Sequence, residues 1–214
     1  MKKKITTMGA VFADEKEEII FDNDSKPIYE LSDFCDTACV NIYSDPNYDD
    51  SSSEEDPAGK GFEERSIADG ELVAEIGLIA IRGEAIAMME QNPWECYDAI
   101  SDDLVYVAAA LREENISLSE NIVYIEGVNL TDGNDDILLR ARIIKELPRI
   151  CMARFGFVPY LLAYIEEENN PADSAAFRAE QFIRVGKGRV LVRFSDHLPQ
   201  LEPNMNMNHS FNLS

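Results

Sequence analysis

Residues 121–136 read Asn121-Ile122-Val123-Tyr124-Ile125-Glu126-Gly127-Val128-Asn129-Leu130-Thr131-Asp132-Gly133-Asn134-Asp135-Asp136. The first ten are rich in β-branched and aromatic side chains and predict a central strand. The last six are polar turn formers that open the next element. Ile137, Ala141, Ile144 and Cys151 then recur on one stripe, with Leu138 and Leu147 beside it, so residues 137–152 predict a helix. Pro148 is expected to kink that helix or end it early, because proline has no N–H and clashes with the preceding turn. Phe157 to Ile165 supplies a second buried strand, followed by the acidic loop Glu166 to Pro171.

Working outward towards the C-terminus, a short helix is expected from about Asp173 to Gln181. Phe182 to Val185, a Gly186-Lys187-Gly188 turn and the strand Arg189 to Phe194 follow. Towards the N-terminus, Asn92-Pro93 reads as a cap followed by proline at the first helical position. It opens a helix over 93–112 with Tyr97, Ser101, Leu104, Ala108 and Leu111 on one face. Residues 72–88 form a long apolar run interrupted at Gly83, which predicts a buried strand that bends or turns at Arg82-Gly83. A hairpin is expected from residues 5–12 and 17–21, and a third strand through Val40 to Tyr43.

Residues 44–66 are acidic and hold serines, prolines and glycines, with Lys60 the one basic residue before Arg65. Such a segment buries too little apolar surface to offset its ordering entropy and reads as a mobile acidic insertion. The expected organisation is one α/β (α+β) domain over 1–198 carrying that insertion, then a flexible tail over 199–214.

Lys and Arg number 19 against 41 Asp and Glu, a formal net charge of -22. That field repels phosphate backbones and anionic membrane surfaces, so direct nucleic-acid binding is not expected. It favours a small-molecule amine, a basic protein partner, or plain solubility. The stretch after Lys2-Lys3-Lys4 is too short and polar for a signal peptide, and no window has the ~18 apolar residues of a membrane span. A cytoplasmic location with reduced thiols is therefore expected for Cys35, Cys39, Cys96 and Cys151. Zinc is not expected, because only Cys35 and Cys39 are close and His197 and His209 lie far away.

Asp132, Asn134 and Asp136 have the alternate spacing of a calcium loop, but the glycine and distal glutamate that such a loop needs are replaced by Ile137 and Ile143. No Gly-x-Ser-x-Gly elbow or Gly-Lys-Ser/Thr phosphate loop occurs. A Cys151–His197 dyad is weighed against Cys151 as a core residue, which its place on the apolar stripe favours.

The order of elements after residue 120 resembles the second half of the GNAT superfamily of acyl-CoA N-acyltransferases. Ile122 to Leu130 matches its central strand, Ile137 to Met152 its cofactor helix, and Phe157 to Ile165 the strand that splays away to admit the pantetheine arm. Ala175-Ala176-Phe177, with Gln181-Phe182-Ile183 and Gly186, resembles its short late helix. The resemblance spans about residues 72–195 and implies a mixed, mostly antiparallel sheet flanked by helices. It also implies acetyl-CoA as cofactor and an amine as acyl acceptor. On it, Glu126 would be the general base and Tyr164, or Tyr160, the general acid, since Arg178 stands after Phe177 where the family has tyrosine. The main chain at Val128 and Leu130 would orient the thioester, and Gly133, Asn134 and Arg140 would meet the pyrophosphate.

The turn departs from the family's glycine-rich pattern, since Asp132 to Asp136 holds one glycine and three acids. Acids at a helix N-terminus suit the dipole by ~0.3–1 kcal/mol but repel pyrophosphate. CoA then binds weakly with help from Arg140 or Arg142, or no longer binds. For Glu126 the plain structural alternative is a solvent-facing residue or a partner of Arg140. Two functions follow: a GNAT-like N-acetyltransferase, intact or degenerate, or a catalytically inert acidic protein that occupies a basic groove as an inhibitor or nucleic-acid mimic.

Overall fold

The structure is a computed structural model that describes residues 7–13, 33–44, 71–88, 92–131, 136–195 and 210–212. In chain order the strands are β1 (Thr7–Ala13), β2 (Cys35–Ser44), β3 (Glu71–Ile81), β4 (Ile122–Leu130), β5 (Leu161–Ile165), β6 (Ile183–Val185), β7 (Val190–Phe194) and β8 (Ser210–Asn212). Helices α1 (Gly83–Met88), α2 (Pro93–Ile100) and α3 (Asp102–Glu113) lie between β3 and β4. Helix α4 (Ile137–Phe155) joins β4 to β5, and α5 (Pro171–Ala179) joins β5 to β6. One sheet forms in the order β6-β7-β5-β4-β3-β2-β1-β8. Every pairing is antiparallel except β4 with β5. The expected mixed, mostly antiparallel sheet flanked by helices is thus present.

The alternation of side chains along each strand divides the core into two layers. Val123, Ile125 and Val128 join Ile143, Ile144, Leu147 and Phe177 on the α4–α5 side. Ile122 and Tyr124 join Tyr97, Leu104, Val107 and Leu111 on the α1–α3 side. A strand covered on both faces reads as a near-continuous apolar run, which is why β4 stands out in the sequence. Among the described residues, no helix is long and apolar enough to cross a membrane.

Several expectations are corrected. The run over 72–88 is a strand only to Ile81 and continues as α1, since Glu84-Ala85-Ile86-Ala87-Met88 is mostly made of strong helix formers. Gly83 sits where a Cβ would lie 2.3 Å from the Glu120 carbonyl oxygen, so the turn of direction needs glycine. The single helix expected over 93–112 is two, broken at Ser101, whose extended backbone ends α2 while its hydroxyl accepts from Leu104 N–H at 3.2 Å. Pro148 neither ends α4 nor leaves its buried face. The helix is held at both ends, by Asp136 accepting from Leu138 and Leu139 N–H and by left-handed Gly156. Strand β5 begins at Leu161 rather than 157, because Pro159 cannot donate to a ladder. The described partners of β1 are β2 and β8, so the tail supplies a strand; residues 17–21, the expected hairpin arm, lie outside the described residues, as do 45–70 of the acidic insertion.

A long-range clamp holds the β6–β7 turn. The Tyr106 hydroxyl of α3 accepts from Arg189 N–H at 3.1 Å, and Glu114 accepts from Gly186 N–H at 3.2 Å. A Cβ on Gly188 would lie 2.1 Å from the Tyr106 oxygen.

Gly83→Ala should therefore destabilise the fold by about 1–3 kcal/mol through backbone overlap, whereas Gly156→Ala, with open space around it, should lose only its left-handed preference, about 1 kcal/mol. Denaturant midpoints read both, and equal losses would contradict the packing described. Burial pushes the Cys35 and Cys151 thiols up to about 12. The folded chain keeps these protons where an unfolded thiol releases them, so the stability they contribute is present below the ordinary thiol range and falls as pH rises through it. At pH 8 both should resist alkylation until denaturant is added, with mass spectrometry locating the labels.

Candidate functional site

The site lies where β4 and β5 part. Their parallel ladder covers Ile122–Leu161, Val123–Leu162, Tyr124–Ala163 and Ile125–Tyr164, and stops there. Strand β4 runs on to Leu130 paired with β3 alone. Two features separate the strands. On β4 the register with β3 shifts, with Gly77 opposite Gly127 and Leu78 opposite Ile125, so Glu126 is the extra residue of a bulge that bends the strand. On the other side, the chain leaving β5 is drawn towards β7. Glu166 N–H donates to the Arg189 carbonyl at 2.8 Å, and the buried Glu166 carboxylate takes Arg178 at 2.5 Å and also Arg184.

The bulge turns the Val128 peptide into the resulting slot. Its N–H donates to Asp173 Oδ2 at 3.3 Å, and its carbonyl accepts from Arg140 Nη1. The same Arg140 nitrogen bonds Asp173 Oδ1. Arg140 comes from the first turn of α4 and Asp173 from that of α5, and both side chains are almost wholly buried. Asp173 N–H in turn donates to the capping Asn170 side chain at 3.2 Å. Burial raises the Asp173 carboxyl above the usual range, against the opposing charge of Arg140 and the Val128 N–H bond. Desolvation therefore outweighs the attraction, as is common for buried pairs.

The residues expected at the site are distributed as follows. Glu126 is exposed on the bulge, with its carboxylate across Gly77, where a Cβ would lie 2.0 Å from Oε2. It is not the partner of Arg140. Tyr164 is 1% exposed and stacks on Phe177 with centroids 4.0 Å apart. Burial, then the charges of Asp173 and Glu167, push its phenol up. The hydroxyl lies towards Ser174 and the Glu167 backbone but closes no hydrogen bond of ordinary geometry among the described residues. Tyr160 is away from the slot, edge-on to Phe194. Leu130 is half-buried at the end of β4, and Gly133, Asn134 and His197 lie outside the described residues. Cys151 is buried near the Arg193 charge.

Asp173 was not foreseen as a site residue. In sequence, Asn170-Pro171-Ala172-Asp173 has the form of an ordinary capped helix start with an acid in its first turn, and nothing local distinguishes a carboxylate that reaches across to another strand. Beyond Ile125 the β5-facing edge of β4 has no strand beside it. As folded, that edge has no free peptide group at Val128. Arg140 Nε, buried beside the Val128 carbonyl, has no hydrogen-bond partner among the described residues.

Removing one member of the pair strands the other. Asp173→Ala or Arg140→Ala should each cost about 3–5 kcal/mol, and the double variant much less than their sum. Urea unfolding of the three variants measures the coupling, and additive losses would mean that the two side chains do not interact. No family model, curated protein or solved structure matches this chain.

Proposed function

We propose that this chain is an acidic interaction protein that binds a basic protein partner, on a scaffold that resembles the GNAT acyltransferases but transfers no acyl group. The observation that carries the reading is the Val128 peptide, whose two polar groups are both taken by Asp173 and Arg140. A cofactor arm would have to displace a buried ion pair to reach them. The charge distribution supports the rest. Arg140 and Arg193 are buried, and Arg178 and Arg184 are both turned onto Glu166, while Glu126, Asp103 and Glu167 face solvent around the mouth of the slot. With a net charge of -22, the outward field is one that attracts a cationic surface from a distance.

An amine N-acetyltransferase using acetyl-CoA is the second reading. It is favoured by the parting of β4 from β5 and by the exposed Glu126, which on that reading takes the proton of the attacking ammonium. The first reading is favoured because the Val128 N–H and carbonyl are already paired by Asp173 and Arg140.

The two separate in one comparison. On the interaction reading, millimolar acetyl-CoA leaves the melting temperature unchanged, and a fluorescent lysine-rich peptide binds at low salt and is released as the Debye length shrinks. A melting rise of about 5–10 °C with acetyl-CoA, the shift expected at 100-fold over the dissociation constant for a chain of this size, would return the protein to the acyltransferases.

A further inference from the structure

We infer that Arg178 and Arg184 form a fork that binds an oxyanion, a carboxylate or phosphate group, and that the buried carboxylate of Glu166 holds the fork in place. Three elements converge there. Glu166 follows the last residue of β5, Arg178 lies in the last turn of α5, and Arg184 is the middle residue of β6. Arg184 stands opposite Leu191 of β7, which belongs to the α4–α5 layer of the core, so the three side chains meet on that side of the sheet. A turn without glycine brings the two arginines together. Gln181 takes a left-handed backbone with φ 67°, where a residue with a side chain is uncommon. Phe182 N–H then returns to the Phe177 carbonyl at 3.1 Å, and the two rings pack edge-on with centroids 4.9 Å apart.

One guanidinium can satisfy both oxygens of a carboxylate through two parallel N–H bonds. Here each oxygen is taken by a different arginine, Oε1 by Arg178 Nη2 at 2.5 Å and Oε2 by Arg184 Nη2. Among the described residues these are the ion pairs of both side chains, so each guanidinium, with five N–H donors, engages one nitrogen. Two positive charges face one negative charge, on side chains that are 55% and 51% exposed while that of Glu166 is 8%. The surrounding segment repeats the imbalance, with Arg178, Arg184, Lys187, Arg189 and Arg193 against Glu180 alone, in a chain of net charge -22. Glu166 is itself anchored by its N–H to the Arg189 carbonyl at 2.8 Å. Two long side chains are therefore ordered before a ligand arrives, which lowers the entropic cost of binding one. Planar guanidinium forks match carboxylate and phosphate oxygens.

The test titrates inorganic phosphate and, separately, malonate into the full chain at constant ionic strength and follows the arginine Nε–H signals by heteronuclear NMR. The fork predicts saturable shifts of the Arg178 and Arg184 signals, and the anion that binds more tightly names the group. Arg178→Lys and Arg184→Lys keep the charge but remove the fork, and each should weaken binding about tenfold. Arg149→Lys, at the exposed pair with Glu146, should bind as the native chain does. Equal binding in the two fork variants would show that charge alone attracts the anion, and overturns the inference. Shifts that grow without saturating at tens of millimolar, or that spread evenly over other arginines, overturn it as well. The native titration decides this second point whether or not the variants fold.

Discussion

Buried backbone groups have to be paired, and on the β5-facing side of Val128 the sheet provides no strand to pair them. The β4–β5 ladder ends at Ile125–Tyr164, so from the bulge onward the β5-facing side of β4 would leave N–H and C=O groups without partners in a nearly dry environment, each a penalty of about 1–3 kcal/mol. In this chain two helices contribute side chains to do what a strand would. The arrangement ties α4 and α5 to each other and to the sheet through one residue. It also closes the gap beside β4 with the chain's own side chains.

Much of the fold was legible because its signals are local and periodic. The strand at 122–130 and the helix after it are recognisable from composition alone, since residues buried on both faces leave little polar punctuation. The errors arose where one residue had two readings. Ser101 fits a helical stripe and also caps a helix, and its backbone decides for the cap. Gly83 can bend a strand or permit close approach of another segment, and the Ser119–Glu120 backbone beside it decides for the second. The site was less legible. Glu126 and Val128 could be named from their strand, but the Arg140–Asp173 contact links positions 33 residues apart across two helices. No spacing rule expresses that relation.

The distribution of charge follows from where the cations are packed. This chain has few cations, and several are used internally. Arg193 is buried beside Glu180 and over the Phe182 ring, with its centroid 5.2 Å away, and its own burial lowers its basicity. Arg82 and Arg154 both approach Asp36, at 3.8 and 3.7 Å. Cations held close to their counter-ions do little to screen the remaining carboxylates at a distance. The outer potential is therefore set by the net excess of acids, a formal charge of -22.

The clamp between Tyr106 and the turn at 186–188 bears on how the chain assembles. Its two ends are 83 positions apart, and the turn contributes only small strands of its own. Such a hairpin gains little from local contacts, so it can settle only after α3 has formed and packed. Closing a span of that length is entropically slow. The outermost strands beyond β5 should accordingly be last to become protected from solvent exchange, and an early collapsed state would expose the flank of β5 that β7 later covers.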